Sequence, residues 1–146
     1  MIKIICVGKI KEKYLSDLIN DYKLRISKYQ KIEIIELKDS TNEKENEEIL
    51  KHINEKDFNI CMDIKGKKHT SVELSELIDK TFTQGYSTIS FIFGSAEGLN
   101  DEVKSKCNYK LSFSDLTFPH GLFRGILLEQ IYRSFKIINN ESYHKW

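Results

Sequence analysis

The sequence predicts an α/β fold: a mainly parallel sheet sandwiched by helices. Two observations carry that prediction. Short apolar runs rich in β-branched residues recur along the chain, and amphipathic helical patterns lie between them. Size is a third. A chain of 146 residues, 40% hydrophobic and 31% charged, suits a single domain spanning 1–146 with a substantial core.

The elements follow in order. Ile2–Val7 is apolar and closed by Gly8, which predicts a buried strand. Lys11–Ser27 carries Tyr14, Leu15, Leu18, Ile19, Tyr22 and Ile26 at helical spacing. Ile32–Leu37 is a second strand. Lys38–Lys56 is the most polar segment, with a weak helical pattern through Ile49, Leu50 and Ile53, and it predicts a short exposed helix or a mobile excursion. Phe58–Ile64 is a third strand, and Lys65-Gly66-Lys67-Lys68 is expected to turn out of it. Thr70 and Glu73 have capping-box spacing and open a helix through Leu74, Leu77, Ile78 and Phe82, ended by Gln84-Gly85. Thr88–Phe93 is a fourth strand, Leu99–Ser105 a short helix and Tyr109–Phe113 a fifth strand. Pro119 suits the first turn of a final helix, because proline lacks an N–H and its φ is preset. Leu122, Phe123, Ile126, Leu127, Ile131, Phe135 and Ile138 mark that helix's apolar stripe.

Composition narrows the function classes. No apolar run is long enough to span a bilayer. The N-terminus reads as a strand followed by a charged helix, so a secretory leader is not expected and a cytoplasmic location is. Cys6, Cys61 and Cys107 lack CxxC spacing and read as free thiols, not metal ligands or disulfides. Net charge is only +1, which gives no global signature for nucleic acid. The distribution is uneven. Residues 1–31 hold 8 Lys/Arg against 3 Asp/Glu, and residues 32–63 hold 4 against 10. The basic N-terminal segment can therefore form a phosphate-facing patch, or simply a solvated helix face.

Ligands of parallel sheets bind outside the carboxyl ends of strands. Three loops lie there: the one after Met62-Asp63, Gly94–Gly98, and Ser112–Phe118. If their strands are neighbours, the loops converge on one pocket. Gly94 and Gly98 permit close backbone approach, but no Lys-Ser/Thr follows, so this is no phosphate loop. The loop Ser112–Thr117 offers hydroxyls and backbone groups able to read an adenine edge or ribose, or simply to cap a helix. His120 and Arg124 lie one turn apart and can hold an anion together near a helix N-terminus. Gly125, inside a helix, costs about 1 kcal/mol against alanine, which close approach of another helix, even one from a second subunit, would justify. The tail Tyr143-His144-Lys145-Trp146 should fray by default, yet its side chains can stack on a base, move a proton and meet phosphate.

These motifs, taken in order, resemble the ribosomal RNA large subunit methyltransferase H family of the SPOUT superfamily. The resemblance runs nearly end to end: VGK near the N-terminus, Met62-Asp63-Ile64-Lys65-Gly66-Lys67, Gly94-Ser95-Ala96-Glu97-Gly98-Leu99, LSFSDLTFPH, Arg124, Glu129–Arg133 and Tyr143-His144-Lys145. It implies a deep C-terminal trefoil knot, a homodimer and S-adenosyl-L-methionine as methyl donor. It implies methylation at N3 of a pseudouridine in 23S ribosomal RNA of assembled ribosomes. By motif position, Met62, Gly94 and Phe113, Ser114, Asp115, Leu116, Thr117 and Phe118 contact the cofactor. Arg124 lies near the pocket, and Tyr143 and His144 reach the partner's active site, with His144 a candidate base or proton relay. Lysines before residue 32 and Lys65–Lys68 are the expected phosphate contacts. The chain departs from the family pattern at Ser95, where a second glycine is usual, at Gly125, where a larger residue is usual, in a shorter polar segment after residue 38, and at the terminal Trp146. A catalytically inactive RNA- or ribosome-binding protein of the same fold is the alternative.

Overall fold

In the computed structural model, which describes residues 1–146, strand and helix alternate throughout. The strands are β1 (Ile2–Val7), β2 (Ile32–Leu37), β3 (Phe58–Lys68), β4 (Ile89–Ile92) and β5 (Tyr109–Ser112). The helices are α1 (Lys13–Ser27), α2 (Asn42–His52), α3 (Ser71–Thr83), α4 (Asp101–Ser105) and α5 (His120–Ile138). The strands form one sheet in the order β2-β1-β4-β3-β5, and every pairing is parallel.

The sheet is covered on both faces, as parallel sheets require. Alternation along β1 sends Ile2, Ile4 and Cys6 to one side and Ile5 and Val7 to the other, with all five fully buried. The first side meets α1, α3 and α5 through Ile19, Ile26, Leu74, Ile78, Leu127, Leu128, Ile131 and Phe135. The second meets α2 and α4 through Ile49 and Val103. Burying an isoleucine or leucine side chain contributes roughly 1.5–3 kcal/mol, so these two layers dominate the stability.

Local signals work where expected. Thr70 and Glu73 form the capping box of α3, with the Thr70 side chain accepting from the Glu73 N–H and the Glu73 carboxylate from the Thr70 N–H. The polar segment after residue 38 holds an ordered helix, α2, capped by Thr41. Its buried residues are Glu45, Asn46 and Ile49, so two of the three are polar. Pro119 stands one residue earlier than expected, at the N-cap of α5. Cys6 and Cys61 are buried free thiols, and Cys107 is half-buried and free. Burial pushes the Cys6 thiol up to about 11.

One expectation needs correction. The chain does not turn away after Ile64. Strand β3 runs on to Lys68, and Leu111 of β5 is opposite both Met62 and Lys67. Asp63–Gly66 is thus an excursion within one strand. Gly66 is where the excursion rejoins the sheet. A Cβ there would lie 2.7 Å from the Lys110 carbonyl carbon and 2.8 Å from the Leu111 nitrogen, so only glycine fits. Gly125 does face another helix, but it is α1 of the same chain. A Cβ there would lie 2.7 Å from Leu18 Cδ2.

Candidate functional site

Strands β4, β3 and β5 are neighbours, so their carboxyl-end loops meet. They enclose a cleft of about 600 Å3. Its walls are Met62–Lys65 from the β3 excursion, Phe93–Leu99 after β4, and Leu111–Ser114 with Leu116–His120 after β5. Seven of the eight residues expected to hold a cofactor line it: Met62, Gly94, Phe113, Ser114, Leu116, Thr117 and Phe118. Asp115 does not. Its side chain is 77% exposed and pairs with Lys68 on the outside of the loop.

Each wall has a local cause. Phe93, Phe113 and Phe118 surround Phe123 of α5, with ring centroids 5.3, 5.4 and 6.1 Å from it. These contacts tie the 113–118 loop to a rigid helix. Ser114 Oγ accepts from the Leu116 N–H at 2.9 Å, which bends the loop. The N–H and C=O groups of Phe113, Asp115, Thr117 and Phe118 make no hydrogen bond within the protein. At the floor, Asp63 pairs with Lys104 at 3.3 Å and accepts from the Lys65 N–H at 3.0 Å. Burial opposes the Asp63 charge, but these partners outweigh it and hold the carboxyl below its usual range.

His120 and Arg124 share a target, as their spacing suggests, but it is not an open anion site. His120 Nε2 donates to the Val7 carbonyl at the end of β1. Arg124 is 1% exposed. It donates to the Gly8 carbonyl at 2.9 Å and to Glu36 at 2.6 Å. A carboxylate and two carbonyls therefore already occupy the guanidinium, which ties α5 to the ends of β1 and β2.

The tail is packed, not frayed. Tyr143 packs edge-on against Tyr132 at 4.9 Å, donates to Glu129 at 3.0 Å and lies 3.3 Å from the Tyr22 hydroxyl. Burial first, then the bonds to Tyr22 and Glu129, push its phenol well above the usual tyrosine range. Arg133 donates to His144 Nδ1 at 3.0 Å. A guanidinium can only donate, so the neutral His144 ring carries its proton on Nε2. Neither Tyr143 nor His144 lines the cleft: along α5, Glu129 lies six residues and Arg133 ten residues from Phe123 of the cleft wall, about 9 and 15 Å at 1.5 Å per residue.

Comparison with known proteins bears on what this cleft is. Residues 1–144 match the family model described as a predicted SPOUT methyltransferase. A protein named ribosomal RNA large subunit methyltransferase H from Clostridium botulinum strain Kyoto is 50% identical over 157 aligned positions, covering 99% of each chain. The same-named protein of strain Langeland is 49% identical with the same coverage. The chain belongs to the ribosomal RNA large subunit methyltransferase H family. Among solved structures, a "probable methylase family protein" from Haemophilus influenzae Rd KW20 aligns with TM-score 0.60 and 13% identity, over 99% of this chain and 70% of that one. The SpoU methyltransferase AviRb of Streptomyces viridochromogenes aligns with TM-score 0.51 and 10% identity, over 97% of this chain and 62% of that one. At such identities the likeness speaks to the fold alone.

One part of this methyltransferase's cleft was invisible in the sequence. The loop after β4 is braced from behind by α2. Asn42 Nδ2 donates to the Gly98 carbonyl at 3.1 Å, Glu45 accepts from Ser95 Oγ at 2.7 Å, and Asn46 accepts from the Asn100 N–H at 2.9 Å. The only sequence signal is the i, i+3, i+4 spacing of three polar residues, which ordinarily marks a solvated face.

Proposed function

We propose that this chain methylates N3 of a pseudouridine in 23S ribosomal RNA, acting on assembled ribosomes as a homodimer with S-adenosyl-L-methionine as donor. The observation that carries the reading is the single cleft built from three motif loops of a methyltransferase family chain. The family name borne by relatives 50% identical over nearly their whole length supports large-subunit ribosomal RNA as substrate. The deep trefoil knot belongs to the same reading, and the end-to-end likeness to solved methylase folds supports it.

The cleft fits the donor. Its volume of about 600 Å3 suits a nucleoside-sized ligand. The backbone groups of Phe113, Thr117 and Phe118, which have no protein partners, can read a purine edge. Leu116, Met62 and the phenylalanine rings supply apolar surface for a base and a thioether. When bound, S-adenosyl-L-methionine supplies an electrophilic methyl group on a sulfonium. The protein's main task is then to place the nucleophile in line with it.

The N3 of a uracil-type ring is protonated at neutral pH and must lose that proton. His144 of one copy serves the cleft of the other. In the packed tail its Nε2 is a donor, so it accepts a proton only after Arg133 releases Nδ1. Tyr143 donates its one phenolic proton to Glu129 in the packed tail, so it orients the substrate ring as a donor once that bond is released. Arg124 positions the β1 end and does not touch substrate. The exposed lysines Lys9, Lys11 and Lys67 are phosphate contacts on a ribosomal surface.

The test joins calorimetry with S-adenosyl-L-methionine to a tritiated-methyl assay on ribosomes lacking the modification, with the labelled position mapped. His144→Ala should lower transfer about 100-fold or more, the scale of general-base removal, while donor affinity stays within about twofold. Unchanged turnover removes His144 from the mechanism. Absence of donor binding favours an RNA-binding protein without catalysis.

A further inference from the structure

We infer that α2 is a positioning element for the donor-binding loop, and that Glu45 acts through Ser95 to hold that loop in its binding shape. This rests on the reading of the cleft as the S-adenosyl-L-methionine site.

Glu45 is 4% exposed and Asn46 1% exposed, on a helix whose other faces are polar and solvated. Burying a carboxylate is costly unless hydrogen bonds replace its water. No ion pair forms at Glu45. Both oxygens instead meet uncharged donors on the two segments flanking α2. Oε1 accepts from Ser95 Oγ at 2.7 Å, and Oε2 from the Ser40 N–H at 2.8 Å. Asn42 and Asn46 hold the same loop further on, at Gly98 and Asn100. Three side chains of α2 thus converge on this loop and on Asn100 at the start of α4.

The loop itself needs such a clamp. It closes on itself through the Gly98 N–H to the Ser95 carbonyl at 2.8 Å. Gly98 has φ +76°, a conformation that costs glycine little and other residues more. A Cβ on Gly94 would lie 2.9 Å from the Gly98 carbonyl oxygen. Two glycines this close to the cleft give the backbone access to a ligand but also leave it free to unfold locally. The Ser95–Glu45 bond removes that freedom before the ligand arrives, so binding does not bear the ordering cost.

The test uses the full-length chain. Donor affinity is measured by calorimetry, kcat and KM on unmodified ribosomes, and thermal unfolding alongside, for Ser95→Ala, Ser95→Thr, Glu45→Gln and Ser95→Ala/Glu45→Gln. Loss of one charge-assisted hydrogen bond should raise the donor Kd of Ser95→Ala about three- to tenfold. The effect should fall on KM for the donor more than on kcat, because the clamp acts on binding. Ser95→Thr, which keeps the hydroxyl, should restore affinity. The double variant should be no worse than the poorer single one, because both act on the same bond: Ser95→Ala removes it and Glu45→Gln removes its charge assistance. A Ser95→Ala Kd unchanged while the unaltered chain binds the donor overturns the clamp alone. So does a loss confined to thermal stability, or additive effects in the double variant. No donor binding by the unaltered chain overturns the cleft reading and the clamp with it.

Discussion

Arg124 shows how one residue can change meaning once its neighbours are known. In the sequence it sits one helical turn from His120 near a helix start, an arrangement suited to an anion. In the fold its guanidinium is 1% exposed and engaged by Glu36 and the carbonyls of Val7 and Gly8. Removing it deprives the Gly8 carbonyl of its side-chain donor and Glu36, 37% exposed, of its ion-pair partner. Arg124→Ala should therefore lose about 2–3 kcal/mol of stability, measured by urea unfolding. Arg124→Lys should recover only part of this, since an ammonium cannot span the same fork of acceptors. An Arg124→Ala protein of unchanged stability but no donor binding would return Arg124 to the ligand. His144 carries a similar lesson. Its proton position was not legible from residue type, because Arg133 decides the tautomer and lies 11 residues away.

Among the elements, β3 departs furthest from its sequence pattern. The lysine-rich stretch after Ile64 reads as a turn, yet Lys67 and Lys68 pair with β5. The excursion between Met62 and Lys67 puts Asp63, Ile64 and Lys65 on the cleft wall. Gly66→Ala should cost about 1–3 kcal/mol, the usual penalty of overpacking against backbone that cannot move aside. The expected readout is a lower unfolding temperature together with weaker donor binding. Stability equal to the unaltered chain would mean that β5 can shift. The remaining elements were legible because periodicity and caps are local. Thr70–Glu73, the β-branched strands and the α5 stripe all lie within a few residues of their causes. Helix α2 was only faintly legible, because its polar face is buried by a loop about 50 residues away.

At the scale of the whole molecule, the separation between cleft and tail is decisive. The cleft sits at the N-terminal end of α5, and Tyr143 and His144 are anchored near its C-terminal end by Glu129 and Arg133. Under the proposed function, the tail that serves a cleft comes from a second copy. Co-expression of a His144→Ala chain with a Gly94→Val chain tests this, since a Cβ at 94 collides with the Gly98 carbonyl. Random pairing makes half the dimers mixed, each with one intact site, so about a quarter of full activity should return. Homodimers of either variant should be nearly inactive. No recovery in the mixture would mean that each chain works with its own tail.

The sequence by itself determined the layered α/β plan, the caps, the free thiols and the three loops at the carboxyl ends of the strands. Each follows from residue type and short-range spacing, where side chains meet neighbours a few positions away. Only the tertiary structure decided that those loops share one cleft, because strand order is set by crossovers that local pattern does not encode. It also decided that Asp115 faces outward to Lys68, that Arg124 is occupied, and that Glu45 grips Ser95. Those outcomes depend on partners 47 to 88 positions apart, and polar groups take their roles from whichever partner burial leaves within reach.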